Sequence, residues 1–205
     1  MYKIFIKRYN EVCESQRQGK KIVGESTPAY VFHLDFIDKF YPAIKKICII
    51  RDPKDRIVSW HFNQIRKGRK VEQSISEEFI IDYCASRIKK EYEALLAYQG
   101  EIHCLTYESL SAKTDEIIKK VLEYLKVKID DMVVEQMIRE ADFKKLTAKD
   151  ANSVGRSRGE ESIKSYYRKG IVGDWRQYLN KRKIILIEEI LGELQKKVFS
   201  KYNIK

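Results

Sequence analysis

Apolar positions in this chain fall into short continuous runs separated by stretches of helical period. Lys21-Ile22-Val23-Gly24-Glu25, Ile47-Cys48-Ile49-Ile50 and Ile102-His103-Cys104-Leu105-Thr106 are the short runs, and each reads as a strand. The second is apolar throughout, as expected of a strand buried on both faces of a parallel sheet. Ile4, Phe5, Tyr9, Val12 and Cys13 recur at helical spacing and predict a helix over 1–18. Thr27-Pro28 opens a second helix, because proline is tolerated at the first helical position; it runs to Phe40 and stops before Pro42. Asp52-Pro53 caps and starts a third, carrying Ile57, Val58, Trp60 and Phe62 toward Gly68.

Downstream, residues 76–98 form a long amphipathic helix with Phe79, Tyr83, Cys84, Ile88, Leu95 and Leu96 on one side. A further helix carries Ile117, Ile118, Val121, Leu122 and Leu125, and another carries Val133, Val134, Met137 and Ile138. Residues 147–165 are polar, contain glycines and read as a loop; the last helix spans about 181–199. Strands alternating with helices predict an α/β fold, a parallel sheet flanked by helices. With no internal repeat and no linker, residues 1–205 read as one domain.

Composition narrows this picture modestly. A chain of 205 residues supports one real core, and 43% hydrophobic content is ordinary for a globular protein. No run reaches the ~18 apolar residues of a membrane span. The basic, apolar start Met1-Tyr2-Lys3-Ile4-Phe5 is followed by no long apolar segment or small-residue cleavage site, so a cytoplasmic protein is expected. The formal charge of +11 fits either a lysine-rich solvated surface or a cleft for an anionic ligand. Nucleic acid is disfavoured as a partner, since no zinc-finger spacing, RNA-binding signature or basic helix with heptads is present. Cys13, Cys48, Cys84 and Cys104 show no metal or redox spacing and read as reduced and structural. His33, His61 and His103 do not cluster, so no metal is expected.

Two segments carry candidate chemistry. Arg51 directly follows the second strand, where ligands of parallel α/β sheets bind, and its guanidinium matches the oxygens of a phosphate. Ser59, two turns into the next helix, adds a hydroxyl donor, and the helix N-terminus adds a favourable dipole. Alternatively, Arg51 pairs with Asp52 or Asp55 and merely closes a strand-to-helix turn. Arg168-Lys169-Gly170 offers two cations and a residue without a side chain, letting backbone amides approach an anion; it reads equally as an exposed basic loop.

The longer strings resemble a known family. Arg168-Lys169-Gly170-Ile171-Val172-Gly173-Asp174-Trp175 is similar to the Arg-Lys-Gly-x-x-Gly-Asp-Trp signature of cytosolic and bacterial sulfotransferases, and Gly155-Arg156-Ser157-Arg158-Gly159-Glu160-Glu161 resembles the segment before it in bacterial members. Arg51-Asp52-Pro53-Lys54-Asp55-Arg56-Ile57-Val58-Ser59 resembles the 3′-phosphate motif of the glycan-type and bacterial branches. The resemblance implies a P-loop-like parallel sheet and sulfuryl transfer from 3′-phosphoadenosine 5′-phosphosulfate, without a metal, to a hydroxyl or amine of a small-molecule, lipid or glycan acceptor. It implies that Arg51, Ser59, Arg168, Lys169 and Gly170 hold the 3′-phosphate. By the same resemblance Tyr107, in Tyr107-Glu108, contacts the adenine end and Phe143 packs on the base, while Trp175 reads as a structural anchor of the loop rather than a ligand contact. Phe143 also reads as plain core packing.

Gly24-Glu25-Ser26-Thr27-Pro28-Ala29-Tyr30 resembles the Glu-Lys-Ser/Thr-Pro-x-Tyr stretch of glycan-type members, with Ser26 in place of lysine. Glu25 is thereby a candidate to orient or deprotonate the acceptor, or else a carboxylate bonded to the neighbouring helix. The family's catalytic histidine falls by spacing on Ala29, and His33 is the nearest histidine. The family's Gly-rich phosphosulfate loop has no counterpart: no Gly-x-x-x-x-Gly-Lys-Ser/Thr occurs in the chain, and only 23 residues precede Gly24. A sheet lacking its first strand is therefore expected. A remnant that only binds adenosine bisphosphate or a partner protein is the competing reading, and the absent Walker motif disfavours a kinase.

Overall fold

The computed structural model describes residues 11, 14–15, 19, 23–69, 72, 74–128, 130–149 and 154–204. It divides into a unit of residues 1–33 and a unit of residues 34–205. The helix expected over 1–18 lies largely outside the described residues. In the first unit Val23–Thr27 is irregular rather than a strand, and Lys21 and Ile22 of that expected strand are outside the described residues. Pro28–His33 follows as 3₁₀ turns, entered by the Tyr30 N–H donating to the Thr27 carbonyl at 3.1 Å.

The second unit opens with helix α1 (Leu34–Phe40), so the single helix expected over 28–40 is a 3₁₀ segment and then an α segment. Strand β1 (Ile47–Ile50) leads into α2 (Pro53–Arg66). Asp52 caps α2 by accepting from the Lys54 N–H at 2.8 Å, and Pro53 fills its first position. Helices α3 (Glu77–Tyr83) and α4 (Lys89–Ala97) are one continuous rod joined by a π-helical turn, Cys84–Ile88. The expected long helix is present, but hydrophobic period does not report the wider turn within it. Strand β2 (His103–Thr106) runs straight into a short helix, α5 (Tyr107–Ala112). Helices α6 (Thr114–Tyr124), α7 (Asp131–Glu140) and α8 (Phe143–Thr147) follow, and residues 154–173, without helix or strand, lead to a 3₁₀ turn, Asp174–Gln177. The chain closes with α9 (Lys181–Lys201), capped by the Asn180 side chain accepting from the Lys183 N–H at 3.0 Å.

Among the described residues the sheet is two parallel strands, with Ile47 opposite His103 and Ile50 opposite Thr106. The architecture is α/β, as expected. Burial on both faces of β1 is not observed: Ile50 is 4% exposed, but Ile47 and Ile49 on the other face are 39% and 55% exposed. A continuous apolar run alone therefore does not show that both faces are covered.

The core lies where α9 packs on the α3–α4 rod. Ile187, Leu191 and Val198 meet a surface that includes Ile80, Ile88, Tyr92 and Leu95, all buried. The C-terminal carbonyls of α4, orphaned at any helix end, are answered by α9. Lys201 Nζ donates to the Leu95 and Leu96 carbonyls at 3.3 and 2.7 Å and also to that of Tyr98, and the Tyr202 hydroxyl reaches the Leu95 carbonyl at 2.5 Å. Glu91 ties the rod to α2, meeting Arg56 at 2.7 Å and Arg87 at 3.2 Å.

Replacing Leu191 with alanine should lower stability by about 2–5 kcal/mol, since the site is enclosed and collapses only partly. Urea unfolding of the two proteins measures this difference.

Candidate functional site

The register of the two strands builds the site. Arg51 follows β1 and Tyr107 follows β2, each one residue beyond the paired Ile50 and Thr106. The Arg51 guanidinium lies over the Tyr107 ring, 4.7 Å from its centroid. Its Nη2 donates to the Ile171 carbonyl at 3.3 Å, while its Nε is buried and has no hydrogen-bond partner. Asp52 donates its backbone N–H to Glu108 Oε1 at 3.0 Å, fastening the two strand ends together.

Asp55 stands 3.8 Å from Arg51, too far for a hydrogen bond, so charge proximity links them without using up the guanidinium. The Asp55 carboxylate has another task. Fully buried, it accepts from the Gly173 N–H at 2.7 Å and the Trp175 N–H at 3.1 Å. Gly173 holds a left-handed φ of 80°, which lets the chain turn both amides toward one carboxylate. Trp175 sits between cations, with Lys54 Nζ 5.4 Å and the Arg176 guanidinium 4.6 Å from its ring.

Arg168 and Lys169 converge on Asp174, which is 3% exposed. Arg168 bonds Asp174, Glu161 and the Tyr178 hydroxyl, and its guanidinium covers the Phe62 ring at 4.2 Å. Lys169 Nζ donates to Asp174 Oδ1 at 3.0 Å, Gln177 Oε1 at 2.9 Å and the Tyr178 hydroxyl at 2.9 Å. Burial opposes both charges. The bonds from Asp174 and Glu161 outweigh it at Arg168, and those from Tyr178 and Asp174 outweigh it at Lys169, so both cations are held above their ordinary pKa.

Gly170 has a φ of 66°, and a Cβ there would come 2.4 Å from two carbons of the Phe143 ring. The missing side chain is thus the seat of Phe143, itself 4% exposed. The Arg156 and Arg158 guanidinium groups lie 5.6 and 5.7 Å from that ring, and Arg158 Nη1 donates to the Gly170 carbonyl at 2.6 Å.

These groups share one cleft of about 740 Å³ whose walls include Arg51, Ser59, Tyr107, Phe143, Arg168 and Gly170, together with Lys169. Ser59 is exposed on α2. All seven residues proposed from sequence for the 3′-phosphate and base are therefore brought together. The other two candidates belong to the first unit. Glu25 is exposed and accepts from the Thr27 hydroxyl at 3.2 Å and from the Tyr30 hydroxyl, and His33 is exposed at the end of its 3₁₀ segment.

Sequence reasoning missed what Asp55 and Arg158 do. Asp55 figured only as a rival partner for Arg51, although its place one turn from Arg51 was visible. Arg158 lies in the segment before Arg168, to which the resemblance assigns no role. Among the described residues no group of three or more potential ligands suits a metal ion, and no helix is long and apolar enough to cross a membrane.

Comparison with known proteins adds identity to this geometry. The family model described as "Sulfotransferase domain" matches residues 16–199. Cytosolic sulfotransferase 17 of Arabidopsis thaliana is 27% identical over 168 residues, covering 73% of this chain and 49% of that protein. Flavonol 3-sulfotransferase of Flaveria bidentis is 30% identical over 168 residues, covering 73% of this chain and 54% of that protein. The chain thus spans about half the length of the curated relatives it matches. A crystal structure of mouse sulfotransferase SULT7A1 complexed with PAP shares the fold, with a TM-score of 0.55 at 20% identity, covering 74% of this chain and 58% of that one.

Two substitutions probe the site's construction. Asp55→Ala orphans the Gly173 and Trp175 amides and should cost about 2–4 kcal/mol in thermal or denaturant unfolding. Gly170→Ala places a methyl against Phe143 at a left-handed φ and should cost about 1–3 kcal/mol by the same measurement.

Proposed function

This chain belongs to the sulfotransferase domain family, and we propose that its cleft receives the nucleotide of 3′-phosphoadenosine 5′-phosphosulfate. When bound, that co-substrate supplies the sulfuryl group that passes to a hydroxyl or amine of a small-molecule, lipid or glycan acceptor. The observation that carries this reading is the Arg51 Nε, buried and unpartnered at a strand end and backed by the Tyr107 ring. A buried donor without an acceptor is costly, and an anionic oxygen is the partner a guanidinium suits best.

In this reading Arg51 holds the 3′-phosphate, with Ser59 adding a hydroxyl from α2. Arg168 and Lys169 face two carboxylates, so their cluster is locally neutral. Glu161 is the one a phosphate displaces, since its side chain is 33% exposed while that of Asp174 is 3% exposed. Tyr107 supplies a flat face for the base end, and Phe143, buried against Gly170, supports the wall beside it. Binding energy from the remote phosphate positions the reacting end rather than acting on it directly. Glu25 and His33 are the candidates for orienting the acceptor or taking its proton. The relatives' names place several of them in the cytosol, and the same compartment is proposed here.

Isothermal titration with adenosine 3′,5′-bisphosphate tests the reading. The parent chain should bind it, and Arg51→Ala should bind about 10–100-fold more weakly through loss of a charge-assisted contact. Ser59→Ala should show a smaller loss. Unchanged affinity of Arg51→Ala would sink the assignment. Transfer of labelled sulfate to model acceptors then separates an enzyme from a nucleotide-binding remnant.

A further inference from the structure

Sequence spacing separates Cys48 from Cys104, but the fold sets them directly opposite each other. Cys48 on β1 is the register partner of Cys104 on β2. Neighbouring strands lie about 4.8 Å apart, and residues in parallel register project to the same face. That spacing falls inside the Cα window of about 4.4–6.8 Å that a disulfide accepts. Both residues are partly exposed, and both carry free thiols. Cys84, by contrast, is fully buried, and burial pushes its thiol up to about 12.

We propose that Cys48 and Cys104 form a dithiol site of reversible oxidation, in which one thiol attacks a small-molecule disulfide and the other resolves the adduct into an intrachain bond. The two thiols are not equivalent. The neighbouring Cys104 thiol favours the Cys48 thiolate, and against the opposing effects of burial and Glu91 it holds the Cys48 pKa below its ordinary value. Cys104 is pushed up, first by the same neighbour and then by burial. Reactivity follows the thiolate, so Cys48 is the first nucleophile.

With oxidised glutathione as the oxidant, the Cys48 thiolate attacks one sulfur and expels one glutathione thiolate. A mixed disulfide results. Once Cys48 is capped, the negative sulfur that suppressed ionisation of Cys104 is gone. Cys104 then loses its proton and attacks the Cys48 sulfur, releasing the second glutathione. Two protein thiols and one oxidised glutathione become one protein disulfide and two reduced glutathiones. The bond sits three residues before Arg51 on one strand and three before Tyr107 on the other.

The full chain is incubated with oxidised glutathione, alkylated, digested and mapped by mass spectrometry. The expected result is a Cys48–Cys104 linked peptide, lighter by two hydrogens, that dithiothreitol reverses. Cys104→Ser should instead retain glutathione on Cys48, and Cys48→Ser should leave Cys104 modified at least about tenfold more slowly. The proposal is overturned if the parent chain accumulates glutathione without forming the linked peptide. Equal rates for Cys104 in Cys48→Ser and Cys48 in Cys104→Ser would overturn the order of attack. Mapping on the parent chain alone decides the crosslink, whatever the variants do to folding.

Discussion

Everything at the cleft depends on where one buried carboxylate sends its lone pairs. Asp55 sits one helical turn after Arg51, yet it bonds the backbone of a loop 118 and 120 residues downstream. A buried carboxylate is costly unless its oxygens are satisfied, and the Gly173 and Trp175 amides satisfy them. That requirement fixes the loop against α2. The Ile171 carbonyl is thereby brought to Arg51, and Gly170 is brought beneath Phe143. Two distant stretches of sequence become one surface through a handful of hydrogen bonds.

Several cations around this surface are paired with carboxylates. Arg56 is paired with Glu91, and Arg168 and Lys169 share Asp174 and Glu161. Arg158 leans on a carbonyl and an aromatic ring rather than on a carboxylate. Arg51 keeps a donor unused. The net charge of +11 already counts every acid, so what marks the cleft is not that total but the incompletely satisfied Arg51 guanidinium.

Much of this was legible in advance because it is local. Strands β1 and β2, the Asp52-Pro53 start of α2 and the final helix each announce themselves through period or capping within a few residues. Arg51 and the Arg168–Gly170 loop were legible through their place after a strand and their residue types. What escaped is what only tertiary packing decides. Ile47 and Ile49 look as buried as Ile50, because hydrophobicity reports preference and not whether a neighbour arrives. Val23–Glu25 has the composition of a strand without forming one. The pairing of Cys48 with Cys104 depends on strand register, which no spacing along the chain encodes.

That register has a further consequence for assembly. Side chains alternate across a strand, so sliding β2 by a single residue would reverse every face it presents. Tyr107 would leave Arg51, Cys104 would leave Cys48, and the Asp52–Glu108 bond would break in the same step. The strand ends thus work as a proofreading device. A misaligned sheet forfeits all three contacts at once, so only the correctly threaded chain carries a finished anion seat.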